Sequence, residues 1–302
     1  MVDVMTNENK LALTIDIEDW YHIPSVTGSP FSVYPHLKIF YEKWEGRYDY
    51  LSEPTTRILE LLDDFGIKCT FFVVADIVNK YPGLVEKIHD YGHEIACHGL
   101  YHECHIHPKT KEPLITTDNF RTDTSEAKSI LEDITGSKIL GYRAPNALFG
   151  EWMYDILSQL GFKYDSSIMN NSIVKKYSIT KKDVSSYPYQ VNNVPSSFYE
   201  FPLAYWNLCG FKFPASGGPY LRFFGSNLML KGIRQSLQRG HTVFYFHSID
   251  ISDETFPNIG KNRPFFWSIK GKIIEKRIRH ILDHIQNEEI SIVCLKDIFR
   301  SI

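Results

Sequence analysis

The sequence predicts an α/β fold in which a parallel sheet closes into a distorted barrel. Three observations carry this reading. Short β-branched or aromatic runs alternate with helical patterns through about seven or eight units. The run Lys68–Val74 is apolar on both faces, as strands of a covered parallel sheet are. Residues capable of chemistry gather at the carboxyl ends of the runs, the face on which parallel barrels build their sites.

Taken in order, Leu11–Asp16 reads as the first strand. Ser52 caps a helix that continues through Arg57–Leu62 and stops near Gly66. Lys68–Val74 is the next strand, and a helix from Pro82 to His89 leads through Gly92 to the strand Glu94–Cys97. A helix through Ser125–Asp133 precedes the strand Lys138–Tyr142. A helix over Glu151–Leu160 is ended by Gly161 and followed by Phe162–Asp165. Further strands fall at Phe198–Leu203, Thr242–Phe246 and Ile290–Cys294, separated by helical patterns near Asn227–Gln238 and Lys272–Ile285. Segments near 22–50 and 170–197 are rich in Tyr, Pro, Ser and Asn and break the rhythm, as long excursions over one face would. Residues 1–302 are expected to form a single domain, with the helix and strand of 263–302 completing the barrel.

Composition narrows the function. The chain of 302 residues is 43% hydrophobic and 23% charged, an ordinary globular profile. Lys+Arg 33 against Asp+Glu 36 gives a net charge of -3, which argues against a broad nucleic-acid surface. No apolar run is long enough to span a bilayer, and the first ten residues lack the pattern of a cleaved leader. The five cysteines follow no framework spacing, so reduced thiols in a cytoplasmic setting are expected. Neither G-x-S-x-G, a P-loop nor G-x-G-x-x-G occurs, which disfavours a serine hydrolase or a nucleotide-phosphate site.

The polar residues at the strand ends are Asp16, Glu18 and Asp19, then His98 and His102, Arg143, Asp165 and His247. The imidazoles of His98 and His102 lie four apart, so one helical turn would place both on one side. Two neutral imidazoles with a carboxylate form a common three-ligand set for Zn²⁺ or a similar ion, although ordinary surface histidines also meet this spacing. The acids of Asp16-Ile-Glu-Asp19 offer two tasks, ligand and general base. A cation would offset their mutual repulsion. Two decoys are set aside. In His93-Glu94…His98 the histidines stand five apart rather than four, and Cys97, Cys104, His105 and His107 contain no C-x-x-C pair. Trp20, Tyr21, Trp44, Tyr205 and Trp206 could stack on sugar rings or simply pack, and Arg222 could meet an anion or sit at an exposed turn.

Four segments occur in sequence: Thr14-Ile-Asp-Ile-Glu-Asp19, Gly92-His-Glu-Ile-Ala-Cys-His-Gly-Leu-Tyr-His102, Gly141-Tyr-Arg-Ala-Pro145 and Phe244-Tyr-Phe-His247. Together they resemble the ordered motifs of the NodB-homology polysaccharide deacetylases, carbohydrate esterase family four, over about residues 11 to 250. The resemblance implies a distorted (β/α)7 barrel and metal-dependent removal of N-acetyl groups from an amino sugar or polysaccharide precursor. It implies Asp16 as catalytic base, with Arg143 holding it. His98 and His102 are implied as ligands, and His247 as general acid. Asp165, in Tyr164-Asp-Ser-Ser167, is matched to the acid that orients that histidine. The implied cofactor is a divalent metal, zinc first, with cobalt, nickel or manganese as alternatives. The implied partner is an N-acetylated sugar or oligosaccharide.

The first motif departs from the family's T-F-D-D-G. Its third ligand is Asp19 or Glu18, with Asp19 preferred. That form is similar to a subgroup that includes allantoinase-like cyclic-amide hydrolases and peptidoglycan deacetylase-like proteins. Asn146 stands where an aromatic often follows the R-x-P motif. Two rivals follow: hydrolysis of another C–N bond, in a cyclic amide or formamide, and a non-catalytic barrel that binds glycans.

Overall fold

The computed structural model describes residues 9–29, 32–44, 49–172, 185–260 and 263–302. In chain order the strands are β1 (Leu11–Ile17), β2 (Thr70–Val73), β3 (Glu94–Cys97), β4 (Gly141–Tyr142), β5 (Tyr164–Asp165), β6 (Tyr189–Gln190), β7 (Tyr199–Glu200), β8 (Tyr205–Leu208), β9 (Phe211–Pro214), β10 (Thr242–His247) and β11 (Ile292–Val293). The helices are α1 (Leu37–Lys43), α2 (Ser52–Asp64), α3 (Ile77–Lys80), α4 (Leu84–Asp90), α5 (Thr117–Thr135), α6 (Trp152–Gln159), α7 (Gly218–Leu237), α8 (Lys272–Asn287) and α9 (Leu295–Phe299).

Strands β10, β1, β2, β3, β4, β5 and β7 lie side by side in that order, each parallel to its neighbour. The chain just beyond β7 then meets β10 through the parallel bridge Leu203↔Val243, and the Ala204 N–H donates to the Val243 carbonyl at 2.9 Å. The curled sheet therefore joins its own far edge, and the fold is the α/β distorted barrel that the sequence predicts. Strand β6 adds an antiparallel partner to β7, and β11 pairs with Leu11 and Ala12 at the start of β1.

Strand alternation divides the buried residues into two cores. Leu11, Leu13, Ile15 and Ile17 of β1, Phe71 and Val73 of β2, and Phe244 and Phe246 of β10 belong to the larger core, which also takes in the buried faces of α2, α5, α7 and α8. Ala12, Phe72, Ala96, Tyr164, Phe201, Val243 and Tyr245 form the smaller core, the barrel interior, with Leu295 and Ile298 of α9 among them. The interior parity of β1 continues as Ala12, Thr14 and Asp16, so the period-two rule delivers a carboxylate to the upper end of the barrel.

The expected strands are present but shorter at β2, β4, β5, β7 and β11. Gly141 opens β4 because a Cβ there would stand 2.3 Å from the Tyr164 ring. The helix expected at 125–133 runs from Thr117 to Thr135. Thr116 Oγ1 caps it by accepting the Asn119 N–H, and Gly136 ends it with φ 61°. Ser52 is the first residue of α2 rather than its cap; the Asp49 carboxylate accepts its N–H. Helix α7 begins at Gly218, well before the expected Asn227, and is interrupted at Gly225, whose φ is 71°. The β8–β9 hairpin was not expected; it turns at Cys209 and Gly210, both with positive φ (50° and 86°). Of the two excursions, the first contains α1 and the second β6, while residues 45–48 and 173–184 lie outside the described residues. No disulfide joins the five cysteines. Among the described residues, no helix is long and apolar enough to cross a membrane.

Candidate metal centre and catalytic site

The barrel brings Asp16, Glu18, His98, His102, Arg143 and His247 together, all but His247 buried. Register alone sets the first pair: Asp16 of β1 stands beside His247 of β10. His98 directly follows β3, and Arg143 directly follows β4.

Glu18, His98 and His102 offer ligand atoms that all lie within 4.8 Å of one another. The two Nε2 atoms are 3.2 Å apart, and Glu18 Oε2 lies 2.5 Å from that of His102 and 3.9 Å from that of His98. Each Nδ1 faces a backbone carbonyl, His98 that of Arg143 at 2.8 Å and His102 that of His22 at 2.9 Å. A carbonyl can only accept, so each Nδ1 carries the proton and each neutral ring turns its Nε2 lone pair to the other. Glu18 Oε2 is buried with no hydrogen-bond geometry to any partner among the described residues. Three acceptors converging without a donor repel one another, and a cation between them removes that cost. The donor set of two imidazoles and one carboxylate fits a divalent ion such as zinc with a position left open.

For His98 the electrostatics agree. Burial pushes His98 down to about 4, against the upward pull of Asp16, so this ring is neutral at neutral pH. Burial opposes the charge of Glu18, but the imidazoles of His102, His247 and His98 hold its carboxyl well below the usual range. His102 is shifted upward, because Glu18 outweighs the effect of burial.

The helical turn expected at 98–102 is absent. The segment is a loop in which Gly99 and His102 both have positive φ (81° and 58°). The backbone, not a helix face, brings the rings edge to face with centroids 4.8 Å apart. A Cβ on Gly99 would lie 3.3 Å from Pro145 Cγ, so this loop needs glycine for conformation and for space.

The preference for Asp19 as ligand is corrected. Its side chain accepts the Trp20 N–H and caps the single turn Trp20–His22, and its other oxygen accepts from Lys80 Nζ (2.8 Å) and the Tyr81 hydroxyl. Glu18 is the carboxylate that reaches both imidazoles. The physical reason is the reversal of side-chain direction between consecutive extended residues.

Arg143 Nη1 donates to Asp16 Oδ1 at 2.6 Å and to Thr14 Oγ1 at 3.0 Å. Its Nε and Nη2 are held by the Ser166 carbonyl (2.8 Å) and hydroxyl (3.0 Å), and the guanidinium lies 4.0 Å from the centroid of the Phe72 ring. One carboxylate oxygen of Asp16 is thus fixed. The other, Oδ2, lies 3.8 Å from His98 Nε2 on the side of the ligand cluster.

His247 Nδ1 lies 3.1 Å from Asp250 Oδ2, which also accepts the His247 N–H at 2.8 Å. Asp250 Oδ1 pairs with Arg222 Nη2 at 2.7 Å. Burial lowers the His247 pKa, but Asp250 and Glu18 outweigh it and raise the ring to about 9. Burial likewise opposes the charge on Asp250, yet Arg222 and His247 hold its carboxyl below the ordinary value. His247 Nε2 points back to Glu18 Oε1 at 3.4 Å.

Two further expectations are corrected here. Asp165 does not orient His247; its oxygens accept from the Ser167 N–H (2.9 Å) and hydroxyl (2.8 Å). Burial raises it to about 6 beside Glu200, which is raised further by burial and by Asp165 itself. Arg222 is 3% exposed and braces Asp250, so it is neither an exposed turn residue nor an anion receptor on the rim.

The sequence reading missed Asp250 and the role of Arg222 as its brace. The available signals were the spacing His247-x-x-Asp250, which forms a capping box, and the pair Gly217-Gly218. A Cβ on Gly218 would lie 1.9 Å from Asp250 Oδ2, so the second glycine makes room for that carboxylate. Trp20, Tyr21, Trp44 and Tyr205 are buried and pack, while Trp206 lies against Phe213 with ring centroids 5.7 Å apart. Glu94 is spent on the Thr70 and Tyr164 hydroxyls inside the barrel. Glu18, His98 and His102 are the single metal-type cluster among the described residues, which leaves Cys97, Cys104, His105 and His107 outside any such group.

Comparison with known proteins adds two family matches. Residues 45–164 match the polysaccharide deacetylase family, and residues 166–294 match a domain of unknown function (DUF3473). The first stretch holds His98, His102 and Arg143, the second His247, Asp250 and Arg222, while Asp16 and Glu18 precede both. A peptidoglycan deacetylase of Helicobacter pylori is 29% identical over 122 residues, 40% of this chain and 39% of that protein. The chain thus spans about two fifths or less of the first curated relatives it matches. A crystal structure described as a putative polysaccharide deacetylase from Mycobacterium smegmatis has a TM-score of 0.61 at 19% identity, covering 97% of this chain and 90% of the other. The Puue allantoinase structure has a TM-score of 0.60 at 16% identity, covering 96% and 88%. These two likenesses establish the distorted barrel and nothing about chemistry.

Proposed function

We propose, from the premise that residues 45–164 belong to the polysaccharide deacetylase family, that this chain is a metal-dependent hydrolase releasing acetate from N-acetylated amino sugars. The observation that carries the reading is the convergence of two unprotonated Nε2 atoms and an unpartnered Glu18 oxygen between Asp16 and His247. The whole described chain acts as one catalytic unit on this reading, because both matched stretches and β1 contribute side chains.

Glu18, His98 and His102 would hold a divalent ion, zinc first, which would supply Lewis acidity toward the acetamide carbonyl and a more acidic attacking water. Asp16 takes the proton of that water on Oδ2, the oxygen left over by Arg143. Arg143 keeps the base aimed, since its own donors are fixed by Thr14 and Ser166. His247 donates a proton from Nε2 to the departing nitrogen. Asp250 holds the opposite ring nitrogen and stabilises the charged ring, and Arg222 fixes Asp250. The balance is an amide plus water giving acetate and a free amine.

The test is acetate release from N-acetylated oligosaccharides, with one divalent ion per chain by elemental analysis. Release that is lost on chelation and restored by zinc is the expected result. A chain that takes up no divalent ion, or that opens a cyclic ureide without releasing acetate, overturns the proposal.

A further inference from the structure

The carboxylate turned away from the ligand cluster meets a cation of its own. Lys80 Nζ donates to Asp19 Oδ2 (2.8 Å) and to the Tyr41 hydroxyl (2.8 Å). It lies 4.6, 4.8 and 5.5 Å from the ring centroids of Tyr21, Tyr41 and Tyr81. Three aromatic faces and a buried carboxylate make this a built site for an ammonium, not a chance surface pair.

The same turn reaches both sides of the metal centre. The Asp19 N–H donates to His22 Nδ1 at 3.0 Å, so the ring proton is on Nε2 and is given to Asp76 Oδ1 at 2.7 Å. The Tyr21 hydroxyl binds the other oxygen of Asp76 at 3.1 Å. The His22 carbonyl accepts His102 Nδ1–H at 2.9 Å, while Glu18 is one peptide bond from Asp19. The tautomer of His102 is thus set from the turn that Asp19 caps, and that turn begins two residues after Glu18.

We infer that Lys80 is a positioning residue for the metal centre: it holds Asp19 out of the ligand set and locks the Trp20–His22 turn, so that Glu18 and His102 meet the ion. Without the ammonium, Asp19 would be left to the Trp20 N–H and the Tyr81 hydroxyl, and the turn beside Glu18 would lose its cationic brace. The inference rests on the metal-dependent reading above and concerns which carboxylate the ion meets.

The experiment uses the full chain and measures zinc affinity by chelator competition, with the Tm of the metal-free protein as a parallel readout. Lys80→Met is expected to weaken zinc binding by about 10–100-fold, the usual effect of losing an outer partner of a ligand, and Lys80→Arg to recover most of it. Asp19→Asn, which removes the charge but not the volume, is expected to weaken binding in the same range and carries the test if Lys80→Met does not fold. A lower Tm with zinc affinity within about twofold of wild type overturns the inference, because Lys80 would then be structural only. Wild-type protein that binds no zinc overturns the underlying reading, and the inference with it.

Discussion

Glu18 and Asp19 are neighbours of the same charge, and their sequence gives no means of ranking them as ligands. The ranking comes from what each oxygen meets: Asp19 has an ammonium, a phenol and a backbone N–H, whereas Glu18 Oε2 faces only imidazole lone pairs. Glu18→Ala is therefore expected to abolish stoichiometric zinc uptake, measured by elemental analysis after dialysis, while Asp19→Ala binds zinc more weakly without losing it. The acid side has its own residue-level expectation. His247 is raised to about 9 from an ordinary value near 6.5, so the proton it would donate as the proposed acid is present below that range and lost as pH rises through about 9. The stability contributed by this pairing has the same sign, complete below about 6.5 and lost on passing about 9. Asp250→Asn removes the carboxylate at Nδ1, so the alkaline limb of the kcat/KM profile should move to lower pH by about one unit or more. An unmoved limb would remove His247 from the role of acid. The histidine was legible in the sequence and its partner was not, because a motif match favoured Asp165 while the acid actually used lies three residues from His247.

At the scale of elements, the strands and most helices were legible because apolar period and turn residues mark them locally. The β8–β9 hairpin was not, since Trp206 and Phe213 read as isolated aromatics until paired across the strands. The start of α7 was also hidden, because Gly217 and Gly218 read as a loop. Their use is spatial: Gly217 has φ 101° and a Cβ on Gly218 would overlap Asp250. Gly218→Ala should therefore lower kcat by about tenfold or more by displacing Asp250 and, through it, His247, with far-ultraviolet dichroism unchanged. A second element-level expectation concerns the Asp165–Glu200 pair, which lies beneath the Ser166-Ser167 loop that holds Arg143 and the Ala144 N–H. Both carboxyls are raised by burial, Asp165 to about 6 and Glu200 further. A raised carboxyl stabilises the fold fully below its unfolded value near 4 and loses that contribution as pH climbs through its folded value. Tm should thus fall as pH rises from about 4 through about 6, and Glu200→Gln should flatten that slope and raise Tm at neutral pH. An unchanged slope would show that the two carboxyls are not sharing a proton.

For the whole molecule, the parallel barrel could be read from strand–helix alternation, but two features that finish it could not. The seam is one bridge, Leu203↔Val243, too brief to leave a pattern in the sequence. The floor is α9, whose five residues follow β11 and place Leu295 and Ile298 in the interior with Ala12, Phe72 and Val243. The Leu295 and Lys296 N–H groups are taken by Thr70 Oγ1 (2.8 Å) and Glu94 Oε2 (3.0 Å), so this end of the chain is tied to β2 and β3 from inside. Four residue steps along β1 lead from Ala12 in this floor to Asp16 at the site, a rise of about 13 Å. Stability and chemistry are therefore stacked along one axis, with Thr14 and Tyr245 in the layer between. Ile298→Ala opens a cavity in the floor and should cost about 2–4 kcal/mol, lowering Tm by about 3–6 °C in a chain of this size. Zinc affinity and kcat measured well below the new Tm should remain within about twofold of wild type, because no side chain of the ligand set touches α9. Loss of activity at temperatures where the variant is fully folded would show instead that the floor governs the position of β1, and that the upper layer has no independence from the lower.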